Sequence, residues 1–96
     1  VVWKFSKNDF NPTIAAGLLS VPGSNASQLL NPRDVDVDRN GNIYVTDYGN
    51  ARVQKYTSGS TMGTTIAGIT GRRGFTLNQP RFSTLDANES FIFVSD

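Results

Sequence analysis

The chain has 96 residues, no Cys, no His and a formal net charge of +1. A chain of this length builds one small domain, and without Cys and His it has no disulfide framework, no thiolate nucleophile, no histidine general base and none of the common zinc ligand sets. The near-zero net charge argues against a dedicated nucleic-acid binder. No apolar run approaches the roughly 18 residues of a membrane helix, so no membrane partner is predicted.

The predicted secondary structure consists almost entirely of short strands. Each is a run of β-branched or aromatic residues, and Gly, Asn, Ser or Pro separates it from the next. In chain order the predicted strands cover residues 1–5, 13–17, 33–38, 42–47, 52–57, 64–68, 82–85 and 90–94. Because no window has the sustained apolar periodicity of an amphipathic helix, helix is predicted to be nearly absent.

Segments of the chain recur at a nearly constant spacing. The matching pairs are 2–6 with 53–57 and 13–17 with 64–68, both 51 residues apart, 30–33 with 78–81, 48 residues apart, and 43–47 with 92–96, 49 residues apart. The spacing changes only in loops, which is how a structural repeat drifts. Four short antiparallel strands in a period of this length are typical of a β-propeller blade.

The repeat divides the chain into three parts. Residues 32–68 hold one complete unit of four strands. Residues 1–31 hold the last two strands of a preceding unit and a connecting loop, and residues 69–96 hold a connecting loop and the first two strands of a following unit. The predicted fold is therefore all-β, with half a blade, a full four-stranded antiparallel blade and half a blade. Because the chain begins and stops within strands, we expect it to be a piece of a larger propeller.

One stretch carries an ordered set of small motifs. It runs through Asn31-Pro32-Arg33-Asp34-Val35-Asp36-Val37-Asp38, then Gly41-Asn42-Ile43-Tyr44-Val45-Thr46-Asp47, then Asn50-Ala51-Arg52-Val53. The order of these motifs resembles the NHL repeat. That repeat has a Pro, a strand ending in Asp, Gly-Asn, a second strand ending in Asp and then Asn-x-Arg-Val. The resemblance implies structural roles for the motif positions, which are Pro32, Asp38, Gly41, Asp47, Asn50 and Arg52.

The resemblance implies a β-propeller, commonly six-bladed in this family, that serves as a binding platform. NHL propellers bind proteins and sometimes RNA, often within large proteins that include RING-type ubiquitin ligases, and a few relatives are enzymes. We therefore predict a non-catalytic scaffold that mediates protein interaction, with the remaining blades of the same propeller as its neighbours. The alternatives are an RNA-binding propeller, a substrate-recognition propeller of a ubiquitin ligase, and a propeller lyase or lactonase whose catalytic residues lie outside this chain. No catalytic residue, metal or cofactor is predicted, and no compartment is indicated.

Residues 36–47 also fit the start of a calcium loop. Asp36 and Asp38 stand at its first and third positions, and Asn40 and Gly41 follow in the expected order. Asn-Gly is equally a strong hairpin signal, and the flanks alternate as strands rather than as helices. We therefore predict a hairpin that turns at residues 39–41 and binds no calcium with useful affinity.

The polar residues around Tyr48 and Gly49 are interpreted as scaffold rather than as a binding site. Asp47 and Asn50 flank this tight turn, and an Asx side chain stabilises turn backbone. Arg52 stands two residues after Asn50, and an Arg can hold a carboxylate with two hydrogen bonds. We predict that Arg52 pairs with Asp47 across the turn.

A candidate partner-binding face follows from the direction of the strands. Turns alternate between the two ends of a blade, so the turn at residues 48–50 and the connection at residues 68–80 emerge together. This face is predicted to present Tyr48, Arg72, Arg73 and Phe75, with Arg81 nearby, and its expected partner is an acidic protein segment rather than RNA because the net charge is only +1. The alternative for Arg72 and Arg73 is a solvated Gly-rich loop. Exposed strand edges further predict that the isolated chain associates.

Overall fold

A computed structural model describes residues 1–8, 10–68 and 77–96. In these residues the elements in chain order are β1 (Val2–Lys4), β2 (Thr13–Ala16), β3 (Pro32–Val37), β4 (Ile43–Asp47), the 3-10 helix η1 (Tyr48–Asn50), β5 (Arg52–Tyr56), β6 (Thr64–Ala67), β7 (Phe82–Leu85) and β8 (Ile92–Ser95). The all-β prediction is confirmed, and each strand lies within two residues of its predicted bounds. Within the described ranges, no helix is long and apolar enough to cross a membrane.

The eight strands form three antiparallel sheets. β3, β4, β5 and β6 pair in chain order to form a four-stranded sheet, while β1 pairs with β2 and β7 pairs with β8. The strands of the larger sheet are joined by short turns, which is how consecutive antiparallel strands become neighbours. The arrangement is the four-stranded blade with two flanking strand pairs that the repeat predicts.

The β3–β4 turn is the hairpin that Asn40-Gly41 predicts. The Asp38 N–H donates to the Asn42 carbonyl at 3.0 Å, and the Gly41 N–H donates to the Asp38 carbonyl at 3.1 Å. Gly41 has a φ of 82°, a left-handed conformation that glycine adopts without a Cβ penalty. Strands flank this turn on both sides, so the hairpin prediction is confirmed and an EF-hand is excluded.

The core joins the first strand pair to the four-stranded sheet. Val45 from β4 and Tyr56 from β5 are fully buried and pack with Ala16 from β2 and Leu29 from the β2–β3 connection. Val2 and Ile43 pack against this cluster. Burial of these apolar side chains is the main favourable contribution to the stability of this part of the fold.

Side chains of β3 hold the β7–β8 strand pair against the four-stranded sheet. Asp34 Oδ2 accepts the Ser83 N–H at 2.8 Å, and Asp36 Oδ2 accepts the Leu85 N–H at 3.0 Å. Both donors lie in β7, so two of its backbone N–H groups are bound by carboxylates rather than by another strand. The Thr46 hydroxyl adds a hydrogen bond of 2.8 Å to the Ser83 hydroxyl. The acidic face of β3 is thus the face that contacts β7.

The other face of β3 is apolar and open. Val35 and Val37 are 45% and 57% exposed, and they line a cavity of about 350 Å³ together with Trp3 and Phe5. Since successive side chains of a strand point to opposite faces of the sheet, the β1–β2 and β7–β8 pairs lie on opposite faces of β3.

Candidate functional site

The end of β4 carries a buried polar cluster. Asp47 is fully buried, and its Oδ2 accepts the Asn50 Nδ2–H at 2.7 Å and the Arg52 Nε–H at 2.9 Å. η1 makes this possible because it turns the chain between β4 and β5, so that Asp47 and Arg52 are directly paired across the two strands. The predicted contact between Arg52 and Asp47 is confirmed.

The same cluster holds the β2–β3 connection against the sheet. Arg52 Nη1 donates to the Ser24 carbonyl at 2.9 Å, and Arg52 Nη2 donates to the carbonyls of Asn25 and Gln28 at 3.1 and 2.8 Å. Asp47 Oδ1 accepts the Leu30 N–H at 2.7 Å. The charged groups of Asp47 and Arg52 are therefore engaged with this chain, which supports the scaffold interpretation of both residues.

The hairpin turn at the opposite end of the sheet is also held by a carboxylate. Asp38 Oδ1 accepts the N–H groups of Asn40 and Asn42, both at 2.9 Å, and Asp38 Oδ2 accepts the Asn42 Nδ2–H at 2.9 Å and the Tyr44 hydroxyl at 3.1 Å. Desolvation tends to raise the pKa of Asp38, but these hydrogen bonds to the ionised carboxylate outweigh it, so the pKa lies below its ordinary value. Among the described residues, no group of three or more acidic side chains is arranged to hold a metal ion.

Two guanidinium groups lie close to the Tyr48 ring. The Arg33 Cζ is 4.5 Å from the centroid of the Tyr48 ring, and the Arg81 Cζ is 5.9 Å from it. Both distances are within the range of a cation–π contact. Arg33 comes from β3, Tyr48 from η1 and Arg81 from the residue before β7, so three separate segments build one surface, which we call the Tyr48 surface.

The Tyr48 surface is exposed and its charges are available. Arg33 and Arg81 are both exposed, and within the described part of the chain neither forms an ion pair. An open depression of about 420 Å³ lies beside Arg81 and is lined also by Phe82 and Asp96. A guanidinium group over a ring keeps its N–H donors in its own plane, where they can bind a carboxylate or a phosphate with two hydrogen bonds.

The structure places the predicted binding residues as follows. Tyr48 is at the predicted end of the sheet, and its predicted proximity to Arg81 is confirmed. Arg72, Arg73 and Phe75 lie outside the described residues, so their position stays a prediction. Arg52, which is interpreted from the sequence as scaffold, has a side chain that is only 11% exposed and is bound to Asp47.

Two residues of this surface were missed by the sequence interpretation. Arg33 makes the shorter contact with Tyr48, and the repeat already indicates it, because Arg33 and Arg81 each follow a Pro at matching repeat positions. Asp96 is a second acid at this end of the sheets, in addition to Asp47. Its Oδ1 accepts the N–H groups of Asn78 and Gln79 at 2.8 and 2.9 Å, as Asp47 Oδ1 accepts the Leu30 N–H.

Comparison with protein-family models matches residues 29–56 to the NHL repeat. The matched segment covers β3, β4, η1 and β5, and therefore contains the hairpin, Tyr48 and the Asp47–Asn50–Arg52 cluster. Comparisons with curated proteins and with solved structures each give no significant match. Residues 29–56 therefore match an NHL repeat, and the three antiparallel sheets are consistent with a piece of an NHL-type β-propeller.

Proposed function

We propose that this chain is a non-catalytic protein-binding module and that its partner docks on the Tyr48 surface through an acidic segment. The NHL repeat implies a β-propeller module of the protein-interaction type. The observation that supports the Tyr48 surface as the docking site is the position of Arg33 and Arg81, 4.5 and 5.9 Å from the same ring. Arg and Tyr are enriched among the residues that dominate protein interfaces.

The charge distribution at this end of the sheet favours an acidic partner. Asp47 is buried and paired with Arg52, so it does not neutralise the exposed guanidinium groups. Asp96 is the acid that faces the depression beside Arg81, and one of its oxygens already accepts two backbone N–H groups. A carboxylate from a partner therefore meets two forked donors at Arg33 and Arg81. Arg72, Arg73 and Phe75 belong to the connection that leads to this end, and we propose that they extend the surface.

RNA is the second candidate ligand because aromatic rings and guanidinium planes also stack on bases. The net charge of +1 favours the protein partner, since nucleic-acid binding draws on a strongly basic surface. The other two alternatives stay proposals for the propeller as a whole. A ubiquitin-ligase substrate propeller would use the same surface chemistry, whereas a lyase or lactonase would need catalytic residues from other blades.

The test is binding of fluorescent probes measured by anisotropy. The probes are an Asp/Glu-rich peptide, an Asn/Gln-rich peptide of equal length and a single-stranded RNA. We expect the acidic peptide to bind best, with an affinity that falls as salt is raised. The double variant Arg33→Gln and Arg81→Gln is expected to weaken binding at least tenfold and to flatten the salt dependence.

The matched control is the double variant Lys7→Gln and Arg39→Gln, which removes the same charge from exposed positions away from Tyr48. It is expected to leave the affinity within about twofold. Equal losses in the two double variants would contradict a local docking surface, and preferred binding of the RNA would overturn the choice of partner. Circular dichroism verifies that all four substitutions leave the sheets intact.

A further inference from the structure

Two arginine side chains of the Tyr48 surface lie close to one aromatic ring. The Arg33 Cζ is 4.5 Å and the Arg81 Cζ is 5.9 Å from the centroid of the Tyr48 ring, so the two guanidinium carbons are at most 10.4 Å apart, the sum of these distances. Arg33 and Arg81 belong to consecutive units of the repeat, and each directly follows a Pro. The fold therefore holds two like charges near each other.

The charges of this arginine pair are not neutralised within the described ranges. Arg33 and Arg81 are exposed, and neither forms an ion pair there. Asp96 lines the depression beside Arg81, but its Oδ1 already accepts two backbone N–H groups. Each guanidinium group carries five N–H donors in a fixed plane and stays charged at every physiological pH. The pair thus offers two forked donors to one anionic ligand.

A phosphate group matches this arginine pair better than a single carboxylate does. A carboxylate has two oxygens and accepts one guanidinium fork, whereas a phosphate monoester has three terminal oxygens and a charge of about −1.5 to −2 at pH 7. Two N–H···O bonds of about 2.8 Å on opposite sides of one phosphate, together with the widths of the groups themselves, span about 8 Å between guanidinium carbons. This span lies within the limit of 10.4 Å that the two ring contacts set.

We propose that the segment that docks on the Tyr48 surface carries a phosphoserine or a phosphothreonine, and that Arg33 and Arg81 bind its phosphate together. This inference rests on the proposed function, because it names the anion on the docking segment. Both arginines are exposed, so the short side chain of phosphoserine or phosphothreonine reaches them without entering a deep cavity. Phosphorylation of the partner then strengthens docking, because clusters of Arg recognise phosphorylated segments through charge-assisted hydrogen bonds.

The test compares three peptides of equal length, built on one Asp/Glu-containing sequence, by fluorescence anisotropy. The first has a central Ser, the second has phosphoserine there, and the third has two adjacent Asp that supply a comparable charge without a phosphate. We expect the phosphoserine peptide to bind at least tenfold more tightly than the Ser peptide and at least fivefold more tightly than the Asp-Asp peptide. The double variant Arg33→Lys and Arg81→Lys keeps both charges but lacks the forks, so it is expected to lose the preference for phosphoserine over Asp-Asp.

The matched control is Arg39→Lys, which changes an exposed Arg in the β3–β4 hairpin turn and is expected to leave the preference unchanged. Equal affinities for the phosphoserine and Asp-Asp peptides, or a preference that survives both Lys substitutions, overturn the phosphate inference and leave the acidic docking surface standing. Failure of all three peptides to bind contradicts the proposed function and this inference with it. Tighter binding of a single-stranded RNA, or of vesicles with phosphoinositide headgroups, than of the phosphoserine peptide overturns the choice of a phosphorylated protein segment.

Discussion

The Arg52 guanidinium lies 2.9 Å from the Asp47 carboxylate at the point where the chain turns from β4 into β5. The side chains are 11% and 0% exposed, so the pair is largely shielded from water. Arg52 also donates to three carbonyl groups of the β2–β3 connection. One residue thus closes a turn of the complete unit and attaches the segment that leads into it, which gives the Asn-x-Arg motif a structural reason.

We expect Arg52→Ala to lower the free energy of unfolding by at least the roughly 1.5–3 kcal/mol of a charged hydrogen bond. The substitution leaves a buried carboxylate without its cation and removes the guanidinium donor from three carbonyl groups, of which, among the described residues, only that of Asn25 keeps another donor, the Gln28 N–H. Chemical denaturation gives the value, and Arg39→Ala is the matched control. Arg39 pairs with Glu89 but is 75% exposed, so its loss should cost about 1 kcal/mol or less. Equal losses would contradict the structural role of Arg52, as would an unchanged stability together with lost partner binding.

Gly68 is expected to tolerate no side chain. It has a φ of +82°, and a Cβ there would collide with the Ala51 carbonyl oxygen and lie 3.1 Å from the Arg52 Cα. Gly59 has a similar φ of +79° with open space around it, so Gly59→Ala measures the conformational cost alone, about 1–2 kcal/mol. Thermal unfolding should show a clearly larger loss for Gly68→Ala. A similar loss for both would mean that the backbone around Ala51 can move aside.

Two tyrosines should respond oppositely to loss of the hydroxyl. Tyr56 is fully buried, and its hydroxyl makes no hydrogen bond of regular geometry among the described residues although the Gln54 side chain lies close to it, whereas the Tyr44 hydroxyl donates to Asp38 at 3.1 Å. Removing an unpaired buried hydroxyl relieves a desolvation penalty, so Tyr56→Phe should raise stability by about 1 kcal/mol. Tyr44→Phe should lower it by a similar amount. Urea denaturation distinguishes the two, and a loss in both would show that Tyr56 has a partner.

The fall of the free energy of unfolding at alkaline pH provides a second measurement for Tyr56. Burial raises its pKa and Asp47 adds to the rise, while Arg52 and the Gln54 side chain oppose it. Because the folded pKa exceeds the unfolded one, the contribution of the neutral hydroxyl is present below the unfolded pKa of about 10 and is lost as pH rises through the folded pKa. Tyr56→Phe should therefore be less sensitive to alkaline pH than the parent chain.

Acid should weaken the β3–β4 hairpin through Asp38. Its pKa is depressed in the folded chain, so its contribution is present above the unfolded pKa of about 4 and is lost as pH falls through the folded value. Denaturation near neutral pH and at about pH 3 should show a smaller acid-induced loss for Asp38→Asn than for the parent chain. The same loss in both would exclude Asp38 as a source of the acid sensitivity.

The elements that could be predicted from the sequence are those that depend on residues close together along the chain. The hairpin at Asn40-Gly41 and the pairing of Asp47 with Arg52 are set by turn chemistry over a few positions. The exposure of Val35 and Val37 could not be predicted in this way. In β3 the side that packs is the acidic one, because Asp34 and Asp36 accept backbone N–H groups of β7, which lies far along the chain.

The candidate site also combines features that could be predicted from the sequence with features that could not. Tyr48 and Arg81 were expected together because strand direction brings their segments to one end of the blade. Arg33 lies inside a strand, and a strand pattern does not indicate that one of its residues belongs to a turn surface, although the match of Arg33 to Arg81 in the repeat does. Burial of Arg52 follows from contacts with the β2–β3 connection, and no local pattern reports such contacts.

The position of the docking surface is tested most directly by NMR titration of the isotopically labelled chain with the Asp/Glu-rich peptide. The account predicts that backbone amide shifts cluster at Arg33, Tyr48 and Arg81 and disappear in the Arg33→Gln and Arg81→Gln double variant. The turn at residues 58–63 lies at the other end of the sheet, beside Asn42, and should be unaffected. Shifts that cluster at residues 58–63 and leave Tyr48 unchanged would contradict the account.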